Sequence, residues 1–484
     1  MLTKKVRTYA FMAFAMTMSL TMSMSSPAAA DNLKEVLASA YNNSPRLQAE
    51  RARLRETDET YIQARSQSRP TITLAGTAAG SAVRTPQFSF LGPEEDVTET
   101  VTGTPVQAQL EILQPIYQGG RLRAQRQQAL SGIRAARETL RSAEQTALLA
   151  AAIAYADVLR DENITRIRRN DVRVLARQQE AAQITFDVGQ GTRTDVAQAD
   201  SRLAAANIGL ATADARLEVS RAAFRRAVGR APVDLQPLPG VVIPHNVDEA
   251  VAIALEKNPD LRAAYYNQTA AEYNIDIARA STKPTVALSA TAASQREQIL
   301  GFGQADAFTI TAQLSVPLFS AGLNQSRIRQ ASEVKNRLGF EIDQAELEII
   351  EAVTQFWAQI EAAQSILVSS EVQVEAARLA FEGVTLEQEV GTRTVLDILD
   401  AEQEILNAEI NKFNAQRDLD VAIFQTLAMM GTFTADSLSL PVNDYDPNDN
   451  FEAIRSDKLH RLGVRIAPSL TSDTIFDAKE DTSP

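Results

Sequence analysis

The chain has no cysteine in its 484 residues, which excludes disulfides, thiolate metal sites and a cysteine nucleophile. Two histidines and one tryptophan leave little for imidazole catalysis or a histidine-rich metal site. Basic charge is short as well. Formal net charge is −13, and from Asp31 onward 45 bases face 61 acids. Phosphate neutralisation needs a basic face, so such a body is a poor nucleic-acid binder. After residue 30 there is also no run of about 18 apolar residues, the length of a membrane-spanning helix. A P-loop, a metal-ligand spacing and a nucleophile–base pair are all missing. Neither an enzyme nor a bound cofactor is expected, and function has to be read from organisation.

What is present begins with an export signal. Lys4, Lys5 and Arg7 precede an apolar stretch from Tyr9 to Met22, and Pro27-Ala28-Ala29-Ala30 follows before Asp31. That order of charge, apolar core and small residues predicts a cleaved signal peptide over 1–30. The apolar stretch is too short to span a bilayer comfortably, and without cysteine no lipid anchor can form at the new N-terminus. The mature chain is expected outside the cytoplasm without a helical anchor.

The chain then repeats itself once. Leu33 to Leu74 falls on Val247 to Leu288 at an offset of 214, with Pro45, Leu47, Arg65 and Pro70 on Pro259, Leu261, Arg279 and Pro284. Further on the offset is 202: Pro115 matches Pro317, Gly120 matches Gly322, Gly189 matches Gly391 and Asp195 matches Asp397. The tetrapeptide Gly-Thr-Arg-Thr at 191–194 and 391–394 has offset 200, two residues out of that register. The twelve extra residues of the first copy fall between Leu74 and Pro115 and read as a longer loop, about Arg84 to Gly103. The expected layout is a first repeat over 31–243, a second over 244–442, and an acidic, mobile tail over 443–484.

Proline is absent between Ile116 and Ala231 and between Leu318 and Leu440, and both stretches are rich in Ala, Leu, Glu, Gln and Arg. These are strong helix formers, and a helix from Arg121 to Val188 runs about 100 Å at 1.5 Å per residue. No compact domain holds such a helix, so antiparallel coiled-coil hairpins are expected, turning near 188–194 and 390–394. Other segments alternate with period two: Thr71 to Ala78, Val106 to Ile112, Val286 to Ala292 and Phe308 to Val316. Four strands are expected, at about 70–84, 104–116, 284–296 and 306–319. Their length suits a tilted membrane strand. Four strands cannot close a barrel and open edges are forbidden in lipid, so the chain is expected to oligomerise, as a dimer of eight strands or a trimer of twelve. Tyr117 and Phe319 sit either in an interfacial aromatic belt or against the helices. Trp357 reads as core.

With Val390-Gly391-Thr392-Arg393-Thr394-Val395-Leu396-Asp397-Ile398-Leu399-Asp400, over residues 31–442, the sequence resembles the TolC family of outer-membrane channels. Phe186-Asp187-Val188-Gly189 through Thr194-Asp195 resembles the other helical tip of that family, with Gln190 where an apolar residue is usual. Pro-Ile-Tyr-Gln-Gly-Gly at 115–120 and Pro-Leu-Phe-Ser-Ala-Gly at 317–322 are similar too. The resemblance implies a homotrimer with a twelve-stranded barrel in outer-membrane lipid and a helical tunnel through the periplasm. Its implied partners are a periplasmic adaptor protein and an inner-membrane transporter of ABC or RND type. Such a duct exports proteins or small toxic molecules and catalyses nothing.

The same resemblance assigns Asp397 and Asp400, three apart on one helical face, to the periplasmic entrance. Six carboxylates about a three-fold axis would repel anions and raise one another's pKa; the bland reading is a solvated acidic helix start. Arg393 is either a latch to an acid on the neighbouring hairpin, Asp195 being one candidate, or a surface ion pair worth at most about 1 kcal/mol. Val188, Gly189, Thr194, Val390, Gly391 and Thr392 mark tips where an adaptor docks, or merely serve the turns and caps. The competing class is a trimeric coiled-coil surface, adhesive or structural envelope protein.

Overall fold

The computed structural model describes residues 31–86, 98–296, 303–443 and 445–456. The expected signal peptide, 1–30, and the end of the expected tail, 457–484, lie outside the described residues. Both proline-free stretches form a helical hairpin. In the first, α3 (Arg121–Asp187, 67 residues) turns into α4 (Arg193–Val228, 36 residues). In the second, α7 (Leu323–Glu389, 67 residues) turns into α8 (Val395–Met429, 35 residues). At 1.5 Å per residue the long members span about 100 Å.

Ahead of each hairpin lies a broken helix. The pairs are α1 (Leu33–Asn43) with α2 (Pro45–Ser66) and α5 (Val247–Lys257) with α6 (Pro259–Ala280). The break has one cause in both copies. Pro45 and Pro259 take the first helical turn, where no N–H is needed. Ser44 Oγ accepts from the Leu47 N–H at 3.3 Å, and the Asn258 side chain accepts from Asp260 and Leu261 at 2.9 and 3.1 Å.

Side by side, α3 packs on α4 and α2, α8 and α6 lie between α3 and α7, and α7 forms the far edge. Close approach is permitted by small residues facing inward, among them Ala135, Ala143, Ala151, Ala152 and Ala154 of α3. The largest apolar cluster joins α1, α3, α4 and α8 through Leu37, Leu148, Tyr155, Phe224, Phe424 and Phe433. Tyr155 donates its hydroxyl proton to the Gln236 carbonyl at 2.6 Å, with the Asp31 carbonyl 3.0 Å away; burial pushes this phenol up to about 12. The Asp31 carboxylate takes both Arg230 Nη atoms at 2.7 Å, tying the start of the folded chain to the exit of α4. Trp357 is half-buried against the cluster of Ala250, Leu261 and Val353, in line with a packing role.

The strands are β1 (Thr71–Ala78), β2 (Ser81–Pro86), β3 (Thr98–Gly103), β4 (Val106–Gln118), β5 (Thr285–Arg296) and β6 (Gln304–Ser315). An antiparallel sheet in the order β1-β4-β5-β6 pairs Thr71 with Leu113, Val106 with Arg296 and Thr285 with Ser315. Two corrections to the four expected strands follow. The insertion of the first copy is not loop alone: β2 and β3 form a separate two-stranded sheet beyond Pro105, whose missing N–H breaks the ladder. The last strand stops at Ser315 rather than at 319, two residues before Pro317, whereas β4 runs through Pro115 by a bulge before Tyr117.

Among the described residues no helix covers this sheet. Leu74, Phe308 and Ile310 are 75%, 72% and 62% exposed, and every residue of β1 and β6 is exposed. Tyr117 and Phe319 are exposed as well, so neither packs on the helices within the chain. Among the described residues no helix is long and apolar enough to cross a membrane.

The expected mobile tail needs correction over its first part. Residues Asp449–Ser456 form α9, which packs on α2. Phe451 meets Tyr61 edge to face at 5.3 Å, Asn450 donates to Asp58 Oδ2 at 2.7 Å, and Arg51 lies between the rings of Tyr41 and Tyr445. Two aromatic residues give this acidic segment enough apolar area to dock.

Candidate functional site

The two hairpin turns are built alike. Val188 and Val390 close the long helices, with N–H groups bonded to Ile184 and Leu386 carbonyls at 3.1 and 3.4 Å. Gly189 and Gly391 then take φ of +80°, the left-handed conformation glycine adopts without strain. Their N–H groups bond to the Phe186 and Gln388 carbonyls, both at 2.9 Å. Each following helix starts with a capping box. Thr192 and Asp195 cap α4, and Thr394 and Asp397 cap α8. The caps are thus 202 residues apart, the offset taken from the sequence; Thr194 lies inside α4, while Thr392 sits in the turn with its hydroxyl on the Glu387 carbonyl at 2.7 Å.

These caps decide the chemistry of two candidate carboxylates. Backbone and hydroxyl bonds from Thr394 hold Asp397 below the usual carboxylate range, and the same bonds from Thr192, hydroxyl first, hold Asp195 below it. Within one chain the cap bond thus favours the charged form of Asp397. Asp195 is engaged by Thr192 Oγ1 at 2.7 Å, and Arg393 does not reach it. Instead Arg393 Nε meets Glu387 Oε2 at 2.9 Å, with Asp397 Oδ1 3.9 Å from its Nη1, so its partners in the chain lie in its own tip.

The bond across hairpins belongs to the other aspartate. Asp400 Oδ1 accepts from Arg202 Nη2 of α4 at 2.6 Å. Two residues further along α8, Gln178 Nε2 of α3 donates to Glu402 Oε2 at 3.1 Å. Leu175, Ala206 and Leu399 are buried beside it, one from each of α3, α4 and α8. Burial, then the nearby Asp171, pushes Glu402 up to about 7. Sequence reasoning missed Arg202, Gln178 and Glu402. One signal was available: Arg202 stands seven residues after Asp195 and thus on the same face of α4.

The tips also present apolar side chains to solvent. Ile184, Phe186, Val188, Leu386, Val390 and Leu396 are all at least 40% exposed. Among the described residues no group of three or more His, Asp or Glu is placed to hold a metal ion. The arrangement can do three things: keep two hairpins together through side-chain bonds, offer apolar knobs to a partner, and set negative charge at the start of α8.

The family model described as outer membrane efflux protein matches residues 36–230 and 250–432. The chain is 32% identical to the outer membrane efflux protein BepC of Brucella suis biovar 1 over 446 residues, 92% of this chain and 94% of that one. It is 26% identical to the alkaline protease secretion protein AprF of Pseudomonas aeruginosa, over 56% of this chain and 58% of that one. In fold it resembles the outer membrane protein VceC of Vibrio cholerae, with a TM-score of 0.68, 22% identity, and coverage of 82% of this chain and 96% of that one.

Proposed function

The chain belongs to the outer membrane efflux protein family, and from that premise we propose that three copies form a passive exit duct, a twelve-stranded barrel in the outer membrane continued by a helical tunnel in the periplasm. The carrying observation is the sheet, exposed on both faces and with β1 and β6 unpaired at its two edges. In lipid every backbone N–H and C=O needs a partner inside the protein, so open edges must be closed by further strands. One chain supplies four strands, and small closed barrels need about eight.

The helical edges support the same assembly. The free edge at α7 exposes Phe340, Leu347, Ile366, Val372 and Leu379, and the helix carries twelve acids against five bases. On the opposite edge, α2 and α4 together carry eleven bases against eight acids, and α4 exposes Ile208 and Val219. A joint using one edge from each copy is heterologous and ends in a closed ring. The two repeats, 31–243 and 244–442, then place six hairpins around one axis, after export directed by residues 1–30.

At the narrow end Asp400 of each copy, with Asp397 at the same helix start, lines the entrance, and Arg202 and Arg393 restrain the hairpins. The exposed tips around Val188, Gly189, Thr194, Val390, Gly391 and Thr392 dock a periplasmic adaptor, and an inner-membrane transporter of ABC or RND type drives cargo through. BepC is named for efflux and AprF for protease secretion, so cargo is of either class. The duct performs no catalysis. An adhesive or structural envelope role gains no support from the efflux-protein match across both hairpins.

Gel electrophoresis of a detergent extract with and without heating tests the trimer. An unheated band near three times the chain mass is expected, converting to monomer on heating. A monomer band under both conditions, with recovery in the soluble periplasmic fraction, would overturn the barrel.

A further inference from the structure

The pairing of Glu402 with Gln178 is incomplete as drawn by the ionised acid. Gln178 Nε2 donates to one Glu402 oxygen at 3.1 Å, but Gln178 Oε1 is buried and has no hydrogen-bond partner. A buried amide oxygen left unpaired is costly. An ionised carboxylate facing it has only acceptors to offer, whereas a protonated one has an O–H to donate. A carboxylic acid and a carboxamide are complementary in this way: each supplies one donor and one acceptor. The pair bridges α3 and α8, hence the two hairpins, and stands two residues beyond Asp400, whose bond to Arg202 joins α8 to α4.

We propose that Glu402 and Gln178 form a proton-dependent clasp between the hairpins, closed by two hydrogen bonds when Glu402 is neutral and reduced to one when it ionises. The proposal rests on the duct reading for its consequence, the state of the entrance, but not for its chemistry. The groups around Glu402 agree with it. On α3 the buried Asp171 is a like charge, itself raised by burial, and Arg168 acts on Asp171. On α4 Arg202 is engaged by Asp400, and Asp200 accepts from Gln179 of α3 at 3.0 Å. Seven and ten residues further along α8, Glu409 and Lys412 pair with Arg378 and Glu371 of α7 at 2.7 and 3.1 Å, away from Glu402. No base is bonded to Glu402 itself among the described residues, so only the Gln178 amide bond favours the charged form, against burial and Asp171.

The sign follows from linkage. With the hairpins together the acid is pushed up to about 7, and freed into water it returns to its ordinary 4.5. The closed arrangement then holds the extra proton, so its advantage is full below about pH 4.5 and declines as pH rises towards 7. Each unit of displacement is tenfold in that equilibrium.

Two measurements on the purified full chain test the clasp. In planar bilayers, resting conductance is expected to rise about tenfold or more between pH 5 and pH 8. Glu402→Gln, which keeps both hydrogen bonds without a titrating group, should hold the low conductance across that range. Asp171→Asn should move the midpoint to lower pH. A wild-type conductance that is flat with pH, or a Glu402→Gln channel that keeps the wild-type slope, overturns the clasp. Absence of any channel would sink the duct reading instead, and the second measurement then decides alone. Hydrogen exchange, corrected for intrinsic rate, should show protection of residues 171–180 and 399–406 falling from pH 5 to pH 8 in the wild type and staying level in Glu402→Gln. Equal loss in both proteins overturns the clasp.

Discussion

A charged side chain at the tip has its role set by whichever neighbour reaches it first. Asp397 is occupied by Thr394 and Arg393 by Glu387, which leaves Asp400 and Arg202 as the ionic link between hairpins at this level. Both are substantially exposed, at 58% and 37%, so one such bridge is worth at most about 1 kcal/mol. In the proposed trimer three such bridges would still bias an equilibrium between closed and open entrances. Arg202→Ser is therefore expected to raise resting conductance several-fold in bilayers, while Arg393→Ser, which loses contacts within its own tip, changes it less. The opposite ranking would return the latch to Arg393. Deeper in the bundle, Tyr155→Phe removes the bond to Gln236 and should lower thermal stability by about 1 kcal/mol, readable as a shift in the unfolding midpoint.

Helix ends are where single residues control an element. Thr394 accepts from the Asp397 N–H and receives the Asp397 carboxylate on its own N–H and hydroxyl, so Thr394→Ala removes both hydroxyl bonds and leaves only the backbone N–H on Asp397. Loss of an N-cap costs about 1 kcal/mol. Since the turn is exposed and far from the large apolar cluster, fraying should be local. Hydrogen exchange in the first turn of α8 should accelerate about fivefold, with the unfolding midpoint of the whole protein nearly unchanged. A large drop in that midpoint would mean that the tip is coupled to the main core. The same capping boxes explain why the sequence register at offset 202 is the structural one. A turn is aligned by its left-handed glycine and its N-cap, and the Gly-Thr-Arg-Thr match at offset 200 puts Thr194 inside a helix and Thr394 at a cap.

For the whole molecule, the proposed assembly rests on the exposed edges. An acidic α7 edge meeting a more basic α2 and α4 edge predicts that salt weakens the joint along the helices, since exposed charges are screened within about 8 Å at physiological ionic strength. Raising salt to molar levels should increase protease cleavage in α7 of the detergent-solubilised trimer before it lowers the heat resistance of the barrel. In intact cells, added protease is expected to cut between Arg84 and Gly103 ahead of either tip, because β2 and β3, which flank that segment, join the sheet end of α3, a 67-residue helix away from Gly189. Replacing Asp397 and Asp400 together by Ala removes six charges from one constriction of a trimer. Cation preference and block by multivalent cations should then fall clearly in bilayers. Retention of both would leave the carboxylates as a helix start and nothing more.

The sequence by itself determined the elements and their order. Two proline-free stretches of helix formers could become little else than helices of about 100 Å, period-two segments marked the strands, and Asn-Pro and Ser-Pro steps marked the helix breaks. Those are local effects, settled by neighbours within a few residues. Tertiary structure alone decided what depends on distant parts of the chain meeting. It docked part of the acidic tail as α9, because Phe451 found Tyr61, 390 positions earlier. It turned the first-copy insertion into a two-stranded sheet, because Ser81 met Gly103. It also gave the link between hairpins to Asp400 and Arg202 and set Glu402 opposite Gln178, pairs separated by 198 and 224 positions. Spacing along one helix cannot reveal such partners, since the facing helix fixes them only when the side chains between, Leu175, Ala206 and Leu399, have packed.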